Sequence, residues 1–499
     1  MNETYLKHIP FAQPVPDTMH AVCCSLPTMK HIIDYEEKTP QILDAIQVGY
    51  PRFVLHQTVR QAICHATDKH HRAGQAAYAL VSLQAARQME NFVKTESFSI
   101  TPEAGFFLVT FPHDEKACQR ADAFLQHTGL RISSRQAEDY LLSAGRIPAL
   151  QEETIMEMGA ENHVLDVLRR YIDSRFIRLA NSGMNAFYAA FQAVRKLQRP
   201  KGKTVYLQLG WLYLDTQKIL QAFLEPDERV VSQFDVFDKR AIERIFEQYG
   251  DSIAAVVTEL PTNPLVQTLD VVHLGQLAQR HDVVRIFDPT VSSIVNVNLL
   301  PWTDVLTTSL TKYASHCGDV MIGAVALNED APYYRDLSDL IPQELEKPYP
   351  RNVQRLAGQI RDLPRVVAAI NANTVRLVAW LNHHPMIRRV HWAYADASQQ
   401  NYNRVATGEQ CPGALVTIEL NKPLSEFFDR VPVVKAPSFG NFFTMMCPFI
   451  YMAHYDLVSN RQGRQLLRSL GLDPDLVRVS VGTEPIEAII RAIETGLSA

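Results

Sequence analysis

Two short, almost wholly apolar runs flank an amphipathic stretch in the middle of this chain, and that arrangement restricts the fold more than any other feature. Residues 253–258 and 283–287 are too short for core helices and lack polar alternation, so both read as strands buried on two faces. Between them Val271, Leu274 and Ala278 fall on one face of a helix. Strand, helix, strand is a βαβ unit, and it implies a parallel sheet. The same alternation begins near residue 155, with a helix over 164–172 and another that opens near Ser182 and runs through 191–197.

A chain of 499 residues is too long for one hydrophobic core. The expected organisation is an extended N-terminal arm (1–60), an α/β insertion (61–155), a large α/β domain (156–345) and a smaller C-terminal α/β domain (346–499). Within the insertion the pattern predicts a helix over 76–93, a strand over 105–111 and a helix over 114–127. In the C-terminal part it predicts one long helical segment over 353–381, strands at 413–420 and 476–481, and a closing helix over 485–497.

Composition narrows the function classes. Net charge is −5 with both signs mixed along the chain, which argues against a nucleic-acid or anionic-membrane surface. No apolar run approaches the roughly 18 to 20 residues that span a bilayer. The first ten residues hold no long apolar stretch, so a secretory signal is not expected. Seven cysteines without CxxC spacing fit reduced thiols and a cytoplasmic setting. His70-His71 and His383-His384 read as surface pairs without an acidic or cysteine partner set, and no metal is predicted.

Polar groups gather at the carboxyl ends of the predicted strands, where open parallel sheets bind ligands. Glu259 to Pro264 follow one strand, Asp288-Pro289-Thr290 the next, and Ser309-Leu310-Thr311-Lys312-Tyr313 a third. Asn181-Ser182-Gly183-Met184 open a helix whose free N–H groups suit an anion. Each signal has an ordinary reading: a snorkelling lysine, a serine cap, a loop aspartate. Together a phosphate cradle, a buried carboxylate and a Schiff-base lysine are what pyridoxal 5′-phosphate (PLP) requires.

In order and spacing these segments, with Tyr213-Leu214-Asp215-Thr216, resemble the Cys/Met-metabolism PLP enzymes, which include cystathionine γ-synthase, cystathionine lyases and methionine γ-lyase. His20-Ala21-Val22, Ser25-Leu26-Pro27-Thr28, Gly49-Tyr50-Pro51-Arg52-Phe53, Ser438-Phe439-Gly440-Asn441, Ala453-His454-Tyr455 and Val477-Arg478-Val479-Ser480 extend the resemblance to the fungal-type cystathionine γ-synthases. It implies fold-type I, the aspartate aminotransferase-like architecture: a mainly parallel large domain and a smaller C-terminal domain. Lys312 would bind PLP covalently and move protons. Asp288 would pair with the pyridine nitrogen. Tyr213 would stack on the ring, with Trp211 as a rival, and Asn263 would touch the phenolic oxygen. Ser182, Gly183, Met184, Ser309 and Thr311 would hold the phosphate. Tyr50 and Arg52 would reach the phosphate of a neighbouring subunit, making a homodimer or homotetramer with shared sites. Arg478 would grip the substrate α-carboxylate with help from Ser438.

The resemblance implies γ-replacement on an O-acylated homoserine by cysteine or another thiol. The sequence departs from the family pattern at Ala314 to Asp319, at Pro289 and at Val54-Leu55-His56, close to the cleft. Other readings therefore stay open: another γ-substituted amino acid, such as S-adenosylmethionine with a carbon nucleophile; β- or γ-lysis; or a PLP-binding regulator without turnover.

Overall fold

The computed structural model describes residues 5–49 and 54–498. The arm is less extended than its prolines suggest. Pro14–Val15 pairs antiparallel with Cys23–Cys24, and Thr28 then caps helix α1 (Met29–Glu36) by accepting from the His31 N–H. The arm folds back on its own chain: the Val22 N–H donates to the Gly318 carbonyl and the Leu26 N–H to the Lys435 carbonyl, both at 3.0 Å. Tyr50 and Arg52 lie outside the described residues.

The insertion contains three antiparallel strands, β1 (Gln75–Leu80), β2 (Ser99–Glu103) and β3 (Phe106–Pro112), in the order β1-β3-β2. Helix α2 (Leu83–Val93) joins β1 to β2, and α3 (Glu115–Thr128) follows β3. An isolated antiparallel bridge between Leu80 and Arg131 brings the chain after α3 back alongside β1. Together β1 and α2 correct the single helix predicted over 76–93. The alanine-rich run 76–80 is strand because it pairs residue by residue with 107–111, and such pairing overrides even alanine's strong helical propensity. The helix starts only after Ser82, whose hydroxyl accepts from the Ala85 N–H.

The large sheet has seven strands: β4 (Ile177–Ala180), β5 (Val205–Leu209), β6 (Arg229–Gln233), β7 (Ile253–Glu259), β8 (Val284–Asp288), β9 (Val305–Ser309) and β10 (Gly323–Leu327), ordered β4-β10-β9-β8-β7-β5-β6. Only β10 runs against its neighbours. Val256, Phe287 and Leu306 enter one core and Val257, Ile286 and Val305 the other, so both faces are covered and the apolar runs need no polar alternation. Helix α4 (Gly183–Gln198) follows β4, α5 (Leu214–Ala222) follows β5, and α6 (Val271–Arg280) joins β7 to β8.

The C-terminal part carries a second sheet of five strands, with Val477–Ser480 at its centre and Met445–Cys447 beside it. The long helical segment predicted over 353–381 is two helices, Pro350–Ile360 and Leu363–Leu381. Pro364 in the first turn of the second suits a helix start better than an interior. Short helix α7 (Phe449–Ala453) packs against α1 of the arm. Among the described residues, no helix is long and apolar enough to cross a membrane.

Candidate active site

The carboxyl ends of β7, β8 and β9 open into one cleft, together with the first turns of α4 and α5. Lys312 follows β9 by three residues and is 9% exposed. Its Nζ donates to Ser438 Oγ at 3.2 Å and lies 5.0 Å from the Phe439 ring centroid. The next residue anchors it: Tyr313 donates its hydroxyl to the Val291 carbonyl at 2.6 Å and accepts from the Ala414 N–H at 2.8 Å. Burial lowers the Lys312 amine to about 7, and Arg478 adds to that effect.

Asp288 ends β8, level with Glu259 on β7. Asp288 Oδ1 accepts the Thr290 N–H at 2.7 Å, and the Thr290 hydroxyl accepts the Ser309 N–H at 2.9 Å, so adjacent strand ends are tied together. Burial raises the Asp288 carboxyl to about 6. Glu259 is raised as well, by burial first and then by Asp288. It accepts the Tyr213 N–H at 2.6 Å, which fixes the start of α5 and brings Tyr213 into the cleft wall. Trp211 does not line the cleft; it packs on Phe234 with ring centroids 4.3 Å apart.

The opposite end is the start of α4. Ser182 caps this helix, accepting the Asn185 N–H at 3.1 Å. The first-turn N–H groups of Gly183 and Met184 have no acceptor within the helix. A Cβ on Gly183 would stand 2.7 Å from Ser309 Cβ, so only glycine lets this helix start approach the β9 end so closely. Thr311 also lines the cleft, and its hydroxyl accepts from the Ile322 N–H at 3.3 Å. At the far end Arg478 is 4% exposed; it donates from Nη1 to Asn263 Oδ1 at 3.1 Å and from Nη2 to the Pro437 and Ser438 carbonyls.

A family model described as Cys/Met metabolism PLP-dependent enzyme matches residues 168–498. The chain belongs to that family. It is therefore a PLP-dependent enzyme of fold-type I. A relative named L-2-amino-4-chloropent-4-enoate dechlorinase/desaturase, from Streptantibioticus cattleyicolor, is 36% identical over 96% of each chain. Cystathionine gamma-synthase of Neurospora crassa is 24% identical over 97% of each. The fold is shared with a crystal structure of cystathionine gamma-lyase from Lactobacillus plantarum complexed with L-serine (TM-score 0.57, 21% identity, 66% of this chain and 84% of that one).

The cleft fits PLP. It offers an anion-suited helix start that a single Cβ at position 183 would obstruct, a buried carboxylate on its floor and a buried amine of lowered basicity. The site residues expected from sequence come together here, except Tyr50 and Arg52, which lie outside the described residues. Ser438 reaches the site through its hydrogen bond to Lys312 rather than as part of the wall. Glu259, Thr290 and Phe439, which lie in segments expected at the site but had no role assigned, also line the cleft, and so does Tyr35, which was not expected there. Glu259 and Thr290 belong to segments with visible motifs; Tyr35, in the arm, has no local signal.

Two further expectations change. The residues after Lys312 turn away from the cleft: His316 and Cys317 line a separate cavity with Tyr5, Arg365 and Phe442, and Arg355 holds Asp319 from behind at 2.7 Å. The histidine pairs do have acidic neighbours, His70 with Glu103 and His384 with Glu494. Among the described residues, no group of three or more His, Cys, Asp or Glu side chains is arranged to hold a metal ion.

Residues 126–129, at the end of α3, contact the strand end before α4 and the first turn of α5. Asn181 donates to the Gly129 carbonyl at 2.7 Å, while His127 and Gln126 each approach the buried Asp215 of α5 to 3.0 Å. Gly129 has φ +66°, and a Cβ there would lie 2.1 Å from Ser182 Oγ. Gly129→Ala is expected to displace the Ser182 cap and to weaken PLP retention by about 1 to 3 kcal/mol, a typical cost of imposed backbone strain. Titration of the apoprotein with PLP checks it; unchanged affinity would mean that the turn yields freely.

Lys312 also sets a pH dependence. Its amine is protonated below about 7 and neutral, hence nucleophilic, above. The rate at which apoprotein recaptures PLP should rise through about pH 7 and then level off. An ordinary lysine near 10.4 would give a rate still climbing above pH 9.

Proposed function

We propose that this enzyme removes the γ-substituent of an L-α-amino acid and, with an acceptor present, replaces it, as a cystathionine γ-synthase does. What supports the reading most is the joint placement of the Lys312 amine, the Asp288 carboxylate and the Arg478–Asn263 pair in one cleft. Bound PLP supplies a conjugated ring that takes up the electron pair released at Cα. Asp288 holds a proton on the pyridine nitrogen. Two unit charges about 4 Å apart at an effective dielectric near 20 attract by roughly 4 kcal/mol, or about 3 pKa units. Tyr213 would stack on the cofactor ring, and Asn263 would hydrogen-bond its phenolic oxygen. The N–H groups of Gly183 and Met184, with Ser182, Ser309 and Thr311, hold the phosphate. Arg478 binds the α-carboxylate through its planar fork. Lys312 would take the Cα proton, give it up to the cofactor or to solvent and so regain its lone pair, and only then take a Cβ proton, after which the γ-substituent would depart with its bonding electrons. By the family resemblance, Tyr50 and Arg52, which lie outside the described residues, would contribute to the phosphate site of a neighbouring subunit, which would make the active unit a homodimer or homotetramer.

A second reading keeps this chemistry and changes the substituent. It is favoured by the 36%-identical relative, whose named substrate carries chlorine at the γ-carbon. Incubation with O-acetyl-, O-succinyl- or O-phosphohomoserine plus cysteine should yield cystathionine on the first reading. Chloride release from L-2-amino-4-chloropent-4-enoate is the result expected on the second. Retention of the γ-substituent by all four compounds would overturn both.

A further inference from the structure

Beyond the cofactor residues, the carboxylate end of the cleft is closed by a wall with no assigned role. The Arg478 guanidinium carbon lies 4.9 Å from the ring centroid of Phe449, the first residue of α7. Helix α7 brings Phe449, Met452 and Ala453 to the cleft, and α1, packed against it, brings Tyr35. Tyr35 and Met452 are buried. Because Phe449 packs against the arginine proposed for the α-carboxylate, this wall is taken to face the substrate's side chain rather than the cofactor.

The charges around it are few. Among the described residues, the charged side chains lining the cleft are Glu259, Asp288, Lys312 and Arg478. Glu259 is engaged by the Tyr213 N–H, and the other three are committed to the cofactor and the α-carboxylate. Among the described residues, then, no cation remains at the wall for an anionic side chain. Burying an unpaired anion against tyrosine, phenylalanine and methionine is strongly unfavourable.

We infer that Tyr35, with Phe449 and Met452, forms a side-chain pocket that selects small, uncharged γ-substituents and excludes anionic ones. Tyr35 is then a specificity-determining residue carried by the N-terminal arm rather than by the cofactor domain. The inference rests on the γ-chemistry proposed above.

The holoenzyme should be assayed for γ-substituent release from two neutral substrates, L-2-amino-4-chloropent-4-enoate and O-acetylhomoserine, and two anionic ones, O-succinyl- and O-phosphohomoserine. The anionic pair is expected to show kcat/KM lower by about 100-fold. Tyr35→Ala should change the ratio between the two neutral substrates by about tenfold, through KM, with the cofactor absorption retained. Tyr35→Phe should keep the wild-type ratio. Should Tyr35→Ala fail to fold, Met452→Arg supplies the missing cation and should raise kcat/KM for O-succinylhomoserine relative to O-acetylhomoserine. Equal kcat/KM for neutral and anionic substrates overturns the inference while leaving the γ-chemistry standing. So does a Tyr35→Ala that slows both neutral substrates equally, or a PLP-loaded Met452→Arg with unchanged preference. Release from none of the four overturns the γ-chemistry and this inference together.

Discussion

Lys312→Ala is expected to abolish the visible absorption of the covalently bound cofactor and to lower turnover by about a thousandfold or more, since the proposed covalent attachment and proton transfer both depend on this one amine. The structure gives the physical reason. Lys312 is 9% exposed, and its amine lies 5.0 Å from the Phe439 ring centroid and donates to a neutral hydroxyl, Ser438 Oγ, so burial lowers it to about 7. An amine held there is neutral in a large fraction of molecules near pH 7 without a dedicated base. Soluble, folded Lys312→Ala protein that kept the band would place the attachment elsewhere. Added ethylamine should restore part of the proton transfer but not the cofactor linkage, which separates the two tasks of the side chain.

Asp288→Asn should keep the cofactor bound and attached yet slow loss of the Cα proton by about a thousandfold. That figure follows from the roughly 4 kcal/mol that a carboxylate at about 4 Å gives to a protonated ring nitrogen. Without a cofactor, burial keeps Asp288 raised to about 6, with Glu259 alongside also raised. A ring cation relieves that cost, so binding the cofactor and ionising Asp288 are linked, and PLP affinity should weaken below about pH 6. The Cα–H exchange rate measured by proton NMR in deuterated buffer reads the effect of the substitution. An exchange rate equal to wild type would contradict the electron-withdrawing role assigned to the pair.

The cleft was legible in sequence because its parts sit on strand ends with strong local signals. The buried runs of β7 and β8 mark the sheet, and Ser182, Asp288 and Lys312 each follow an element at a place where chain direction alone brings them together. The antiparallel β10 was not legible, because an all-buried strand reads the same in either direction. Residues 76–80 misled for a different reason: alanine carries little information about pairing, and β3 is the partner that makes them a strand. Tyr35 was out of reach altogether. Its place depends on α1 packing against α7, more than 400 residues later in the chain, and no local pattern encodes such a contact. The loop at 314–319 holds His316 and Cys317, for which packing is already the commoner reading from sequence. Its unusual residues drew attention, yet they answer to Arg355, Gln359 and the cavity behind the site rather than to the cleft.

The γ-chemistry is tested most directly by following one neutral γ-substituted amino acid, O-acetylhomoserine or L-2-amino-4-chloropent-4-enoate, with the wild-type holoenzyme in deuterated buffer. Mass spectrometry and NMR should find the γ-substituent released and deuterium introduced at Cβ, as protons pass between Lys312 and both carbons. A substrate that exchanges its Cα proton alone and keeps its γ-substituent would contradict the account.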